Sequence, residues 1–181
     1  MKNSQFQISK LDAARRQLHV AIRLLFDDAD PVAVHTLVGA ASSIISDLVE
    51  QQHPEKSWDK VAQEENKITA AEYFKVMRKA QNFLKHASDD ASSTLDFNSL
   101  DTEFLAFWAV MNLGSFGLLS IEESVFQLWF LACHPLTPNP IIEPYKTAID
   151  LFGDLSKESR AIRLSVGQRV LAEQLADPLG D

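Results

Sequence analysis

Cysteine is nearly absent: Cys133 is the only one in 181 residues. It can close no disulfide within the chain, and its place in an apolar run points to a buried, inert thiol. Long apolar runs are missing as well. The stretches 104–110 and 125–133 fall far short of the roughly 20 residues that span a bilayer, so no membrane role is expected. Residues 1–10 are polar and lack the apolar centre of a secretory signal, which predicts a cytoplasmic protein. No glycine-rich phosphate loop or Gly-x-Ser-x-Gly is present, and no His-x3-His, Glu-x2-His or Cys-x2-Cys pair is expected within a helix. Nucleotide hydrolysis through a phosphate loop and serine-hydrolase chemistry therefore have no support. Positive charge is also short, with 17 Lys and Arg against 25 Asp and Glu, a formal net charge of −8. Broad electrostatic capture of nucleic acid needs cations that neutralise phosphates, so any such contact must be local.

What is present is helical periodicity. Ser9 and Asp12 mark a helix start, after which Leu11, Ala14, Leu18, Ala21, Ile22 and Leu25 recur at three- and four-residue steps. Asp30 caps a second helix with Pro31 in its first turn, running to about Gln52. Its small-residue centre, residues 39–43, lets a neighbouring helix approach closely. Residues 53–67 read as a long charged loop with a short turn near Trp58. Thr69 with Glu72 starts a third helix that continues to Ala87 with Phe74, Met77, Ala80 and Leu84 on its apolar stripe. A fourth opens at Asn98 or Ser99 and breaks at Gly114, and a fifth starts at Ser120 with Glu123 and ends at His134 and Pro135. Beyond a proline-rich connector, a short helix from Glu143 and Pro144 stops at Gly153, and Ser156 caps a last helix to about Ala176. Ile162, Val166, Val170, Leu171 and Leu175 form the expected apolar face of that helix.

The expected fold is all-α: an up-and-down bundle of six or seven helices with a C-terminal helical extension. Residues 1–181 read as one domain, with 1–135 as its core and 140–176 as an added helical pair too short to stand alone. Trp108, Phe116, Phe126, Trp129 and Phe130 give the second half an aromatic face that fits either a core or a homodimer surface.

One constellation carries chemistry. With about 100° per residue, Asn82 and His86 lie one turn apart on one face, and Arg78 and Lys75 extend that strip. Imidazole exchanges a proton near neutral pH, guanidinium grips phosphate, and an amide orients either partner. These are the parts of metal-independent RNA cleavage, with His86 as general base, Asn82 orienting it, and Arg78 or Lys79 stabilising phosphate charge.

Here the chain resembles the HEPN superfamily, whose helical bundles often dimerise around an Arg-Asn, three residues, His motif. Asn82 and His86 match, with Phe83, Leu84 and Lys85 between them, but Gln81 stands where the motif has Arg. Arg78, one turn earlier, is the candidate substitute. The two preceding helices, with the small residues 39–43, resemble the superfamily's helical hairpin. The runs 9–14 and 82–86, with Asp30, Pro31, His35, Thr36 and Leu37, also resemble bacterial helical proteins whose likeness implies no activity. The resemblance implies a degenerate, non-enzymatic module acting through homodimerisation and contact with an RNA or protein partner. The alternatives are an active RNA endonuclease of toxin or defence type and a metal-dependent hydrolase using His35 and His86. His19 and the acids Asp27, Asp28, Asp89 and Asp90 are further conceivable ligands of such a site. No resident cofactor is expected.

Overall fold

A computed structural model describes residues 5–87, 91–134 and 143–176. Among them are nine α-helices and no strand. The elements are α1 (Lys10–Phe26), α2 (Pro31–Gln52), α3 (Trp58–Asn66), α4 (Ala70–Met77), α5 (Lys79–Lys85), α6 (Ser99–Leu113), α7 (Ile121–Cys133), α8 (Tyr145–Phe152) and α9 (Arg160–Ala176). The all-α expectation holds. Two differences raise the number above seven: an additional helix in the supposed loop 53–67, and a break in the third expected helix.

Most helix starts fall where capping chemistry puts them. The side chains of Ser9, Asp30, Thr69, Asn98 and Ser120 each accept a backbone N–H in the first turn, satisfying donors that a helix leaves free. Thr69 with Glu72 and Ser120 with Glu123 form complete capping boxes. Asp28, at φ 51°, turns the chain out of α1 and toward α2.

The segment read as a loop folds because its polar groups find partners that periodicity does not reveal. Ser57 caps α3, and the Asp59 carboxylate is buried, accepting the Tyr73 hydroxyl at 2.7 Å and Asn112 Nδ2 at 3.0 Å. The other amide atom of Asn112, Oδ1, accepts the Trp58 backbone N–H at 2.9 Å. Three separate helices thus meet on one buried carboxylate. Burial and then donation to Asp59 raise the Tyr73 hydroxyl pKa, so it remains a donor throughout the ordinary range.

The third expected helix divides at Arg78, whose φ of −98° and ψ of 5° leave the α region. Beyond the break, Gln81 is buried against α2. A Cβ at Gly39 would lie 2.9 Å from Gln81 Cγ, and Ser43 Oγ donates to Gln81 Oε1 at 2.9 Å. The small-residue centre of α2 therefore receives a close neighbour, as expected, but the approaching side chain is polar. By length and composition α2, with mean hydropathy 1.6, could cross a membrane. Here it lies against α1 and α6, with Val34, Val38, Ala41, Ile45 and Val49 in the bundle core.

The C-terminal helices share that core. Ala148, Phe152, Leu164, Val170 and Leu171 belong to the same apolar cluster as Phe126, Trp129 and Phe130. The proposed cap at Ser156 is corrected: α9 begins at Arg160. Leu155 is buried and its N–H donates to the Ala132 carbonyl, while the Asp154 carboxylate accepts the Ser156 N–H. This turn is pinned to the end of α7 and cannot wind further. The buried face of α9 is also corrected, to Leu164, Gly167, Val170 and Leu171, leaving Ile162 and Leu175 exposed. Gly167 sets that rotation, since a Cβ there would meet Phe26 Cε1 at 2.5 Å. The connector 135–140 and the metal candidates Asp89 and Asp90 lie outside the described residues.

Candidate functional site

The Arg78, Asn82 and His86 strip does not close into a site. Arg78 turns toward α2, with Nη2 3.0 Å from Asp47 Oδ1 and its guanidinium 4.4 Å from the Phe74 ring centre. Asn82 and His86 are both exposed, and their hydrogen bond runs through the backbone, from the His86 N–H to the Asn82 carbonyl. His86 ends α5 in extended conformation, which removes the one-turn helical stacking expected of its side chain. Gln81, in the place of the motif arginine, is buried and bonded to Ser43. Lys79 and Lys85 are the exposed cations of α5.

The histidines paired in the metal alternative have different surroundings. His35 is buried in α2 with Nδ1 2.9 Å from Thr102 Oγ1, whereas His86 is exposed. Among the described residues no group of three His, Cys, Asp or Glu side chains could hold a metal ion. Asp27 accepts from Gln168, and Asp28 pairs with Arg160, so both acids fasten α9 to the end of α1. Glu50 and His53 share a Glu-x2-His spacing, yet Glu50 pairs with Lys60 at 3.1 Å and the His53 ring stands edge-on to Phe116.

His19 joins α1 to α7. Its Nε2 lies 2.9 Å from Glu123 Oε1 and 3.1 Å from Ser120 Oγ. Serine, histidine and carboxylate here do not form a nucleophilic relay. A relay needs a carboxylate bonded to one ring nitrogen and the serine to the other, but Ser120 and Glu123 both meet Nε2, and the carboxylate on the Nδ1 side, Glu122, stands 3.8 Å away, beyond hydrogen-bond distance. Cys133 is buried as expected, and that burial pushes its thiol up to about 12, against the opposing pull of Arg163, so it is not a nucleophile at neutral pH.

Two concave regions flank α6. The first is a cleft of about 410 Å³ between α2, the α4–α5 pair, the chain before α6, and α6 itself. His35 forms part of its wall, with Met77, Ala80, Phe97, Phe104 and Trp108 among its neighbours and Lys79, Asp96 and Asp101 at exposed positions. His35 is only 2% exposed, and its Nε2 has no hydrogen-bond partner among the described residues. Burial lowers its pKa, with Asp101 opposing, so the imidazole is neutral at pH 7.

The second region is an apolar trench along the outer side of α6. It consists of a cavity of about 290 Å³ between Trp58, Trp108, Met111 and Tyr145 and one of about 500 Å³ between Trp58, Val61, Met111 and Leu119. Trp58 and Trp108 stand with ring centres 6.2 Å apart on its wall. The expected aromatic face has therefore divided. Phe126, Trp129 and Phe130 are core, whereas Trp108 and Phe116 are only partly covered. Trp58 reaches this wall because the segment expected as a loop forms α3, and a tryptophan amid charged residues is the sequence signal for it. No protein-family model, curated protein or solved structure matches the chain.

Proposed function

We propose that this protein is a non-enzymatic helical module of HEPN-like type that works by self-association, with a second copy of the chain packed along the outer trench of α6. The supporting observation is the trench itself. Helix α6 is buried by α2 on one side, yet its other side presents Phe104, Trp108 and Met111 at i, i+4 and i+7, flanked by Trp58 and Val61, which are 38% and 45% exposed. A helix apolar around most of its circumference needs a second partner. A ridge with four- and three-residue spacing meshes with its own copy about a two-fold axis, where one ridge fills the grooves beside the other.

The same reading accounts for the degenerate motif: Arg78 is engaged by Asp47, and Gln81 is buried where the motif arginine would stand. Sedimentation of the wild type at tens of micromolar should give a dimer. Val61→Glu should weaken association about 100-fold, or about 2.7 kcal/mol, by placing a carboxylate in the trench. Ile162→Glu, at an exposed position on α9, should leave it unchanged. A wild-type monomer, or equal effects of the two variants, would refute this arrangement.

The exposure of Asn82 and His86 beside Lys79 and Lys85 favours one second reading, local RNA contact with cleavage. Single-stranded RNA incubated with the protein in chelator should stay intact. Cleavage that disappears in His86→Ala would replace the non-enzymatic reading with the endonuclease.

A further inference from the structure

We infer that the His35 cleft is a binding site for a small organic cation with a flat apolar body, such as a protonated aromatic amine. This site is separate from the trench, although Phe104 and Trp108 contribute to both walls.

The volume of about 410 Å³ falls within the range of small-molecule pockets and is too small for a folded partner. Its lining is apolar and aromatic: Met77, Ala80, Phe97 and the buried Leu105, with Trp108 along one side and the exposed Phe104 at the mouth. Such walls suit a flat ring system. A solitary polar group breaks this surface. His35 Nδ1 is engaged by Thr102, and the Phe97 ring stands edge-on to the imidazole at 5.3 Å, so Nε2 is the ring atom left to bond. A buried nitrogen without a partner carries a desolvation cost that one hydrogen bond removes. Nε2 has almost no accessible surface in the unliganded protein, so a ligand N–H or O–H reaches it by displacing the side chains that cover it, with Nδ1–H donated to Thr102 Oγ1. The opposite tautomer would instead take a ligand acceptor.

Charge selects the ligand's sign. Asp96 and Asp101 line the cleft against one cation, Lys79, and none of the three forms an ion pair among the described residues. The carboxylates and the faces of Phe104 and Trp108 attract an ammonium group and repel phosphate or carboxylate. His35 is neutral at pH 7 and supplies no countercharge. An acidic rim over an aromatic wall with one deep neutral hydrogen-bonding atom is thus complementary to an amine-bearing ring.

Calorimetric titration with three probes of one shape tests the assignment: tryptamine, the neutral tryptophol and the anionic indole-3-propionate. Tryptamine should bind at least about tenfold tighter than indole-3-propionate, with tryptophol between them. The double variant Asp96→Asn, Asp101→Asn alters exposed side chains and should fold. It should abolish the preference for tryptamine while leaving tryptophol binding unchanged. Trp108→Ala should weaken all three, and tryptamine should shift the His35 ring resonances in nuclear magnetic resonance spectra. Absence of tryptamine binding at millimolar concentration, equal or tighter binding of indole-3-propionate, or a charge preference that survives in the double variant would each overturn the inference. Asp96 and Asp101 lie outside the trench, so the charge-preference outcomes are independent of the sedimentation result, whereas Trp108→Ala also alters the trench wall.

Discussion

Glu123→Ala should lower the unfolding free energy by about 3 kcal/mol, a large part of the ~5–15 kcal/mol that holds a domain together. Glu123 is fully buried. One carboxylate oxygen meets His19 Nε2 at 2.9 Å and Arg15 Nε at 3.5 Å, and the other accepts the Ser120 N–H at 2.9 Å. Removing it leaves the partly buried Arg15 without its counter-charge, takes the carboxylate partner from His19 Nε2, and opens the α7 capping box. Glu123→Gln retains an acceptor for Ser120 and should cost about 1–2 kcal/mol.

The pH dependence of the wild type should carry the same signature. Burial alone would raise the Glu123 pKa, but hydrogen bonds from His19 and the Ser120 N–H, with the charge of Arg15, outweigh it and lower the value. The unfolded chain then binds this proton more readily than the folded one. The stabilisation is complete above the unfolded value, near pH ~4.3, and is lost as pH falls through the folded value. Chemical denaturation between pH ~3 and pH ~6 should therefore show a steeper acid loss in wild type than in Glu123→Gln. Parallel curves would mean that the carboxylate is no more stabilised when folded than when unfolded.

Asp59→Ala should cost about 2–5 kcal/mol, because it leaves two buried donors, the Tyr73 hydroxyl and Asn112 Nδ2, without their acceptor. Tyr73→Phe removes one donor and should cost about 1–3 kcal/mol. A solvated loop would give changes within about ±0.5 kcal/mol, and that result would refute the buried network. The network also holds Trp58, whose N–H donates to Asn112, beside Trp108. In the proposed dimer, Asp59→Ala should consequently weaken association in sedimentation at temperatures where the variant remains folded.

These two carboxylates show where sequence reasoning reached and where it stopped. Glu123 was readable as the capping partner of Ser120, since that contact spans three residues. Its bond to His19 spans 104 residues and left no local trace. Asp59 was concealed further, because it lies in a segment whose charges read as solvated, and its partners are 14 and 53 residues away. The candidate strip is interrupted for a related reason. Helical phase places Arg78, Asn82 and His86 together only in an unbroken helix, and the seat of Gln81 against Gly39 accompanies a break at Arg78. In the sequence His35 is legible as a candidate metal ligand with His86, not as the wall of a cleft. That one ring nitrogen would be bonded and the other left bare depended on Thr102, 67 residues away.

Local sequence sets the all-α class, most helix starts and the buried, unreactive state of the Cys133 thiol. Those properties rest on periodicity and on capping contacts within a single turn, together with the burial expected of an apolar run. Packing between helices sets which polar side chains are consumed in pairing, which aromatic residues stay on the surface, and the cleft beside His35. Each of these depends on contacts between residues distant in sequence, and the free energy of such a contact depends on which helices pack together rather than on local spacing.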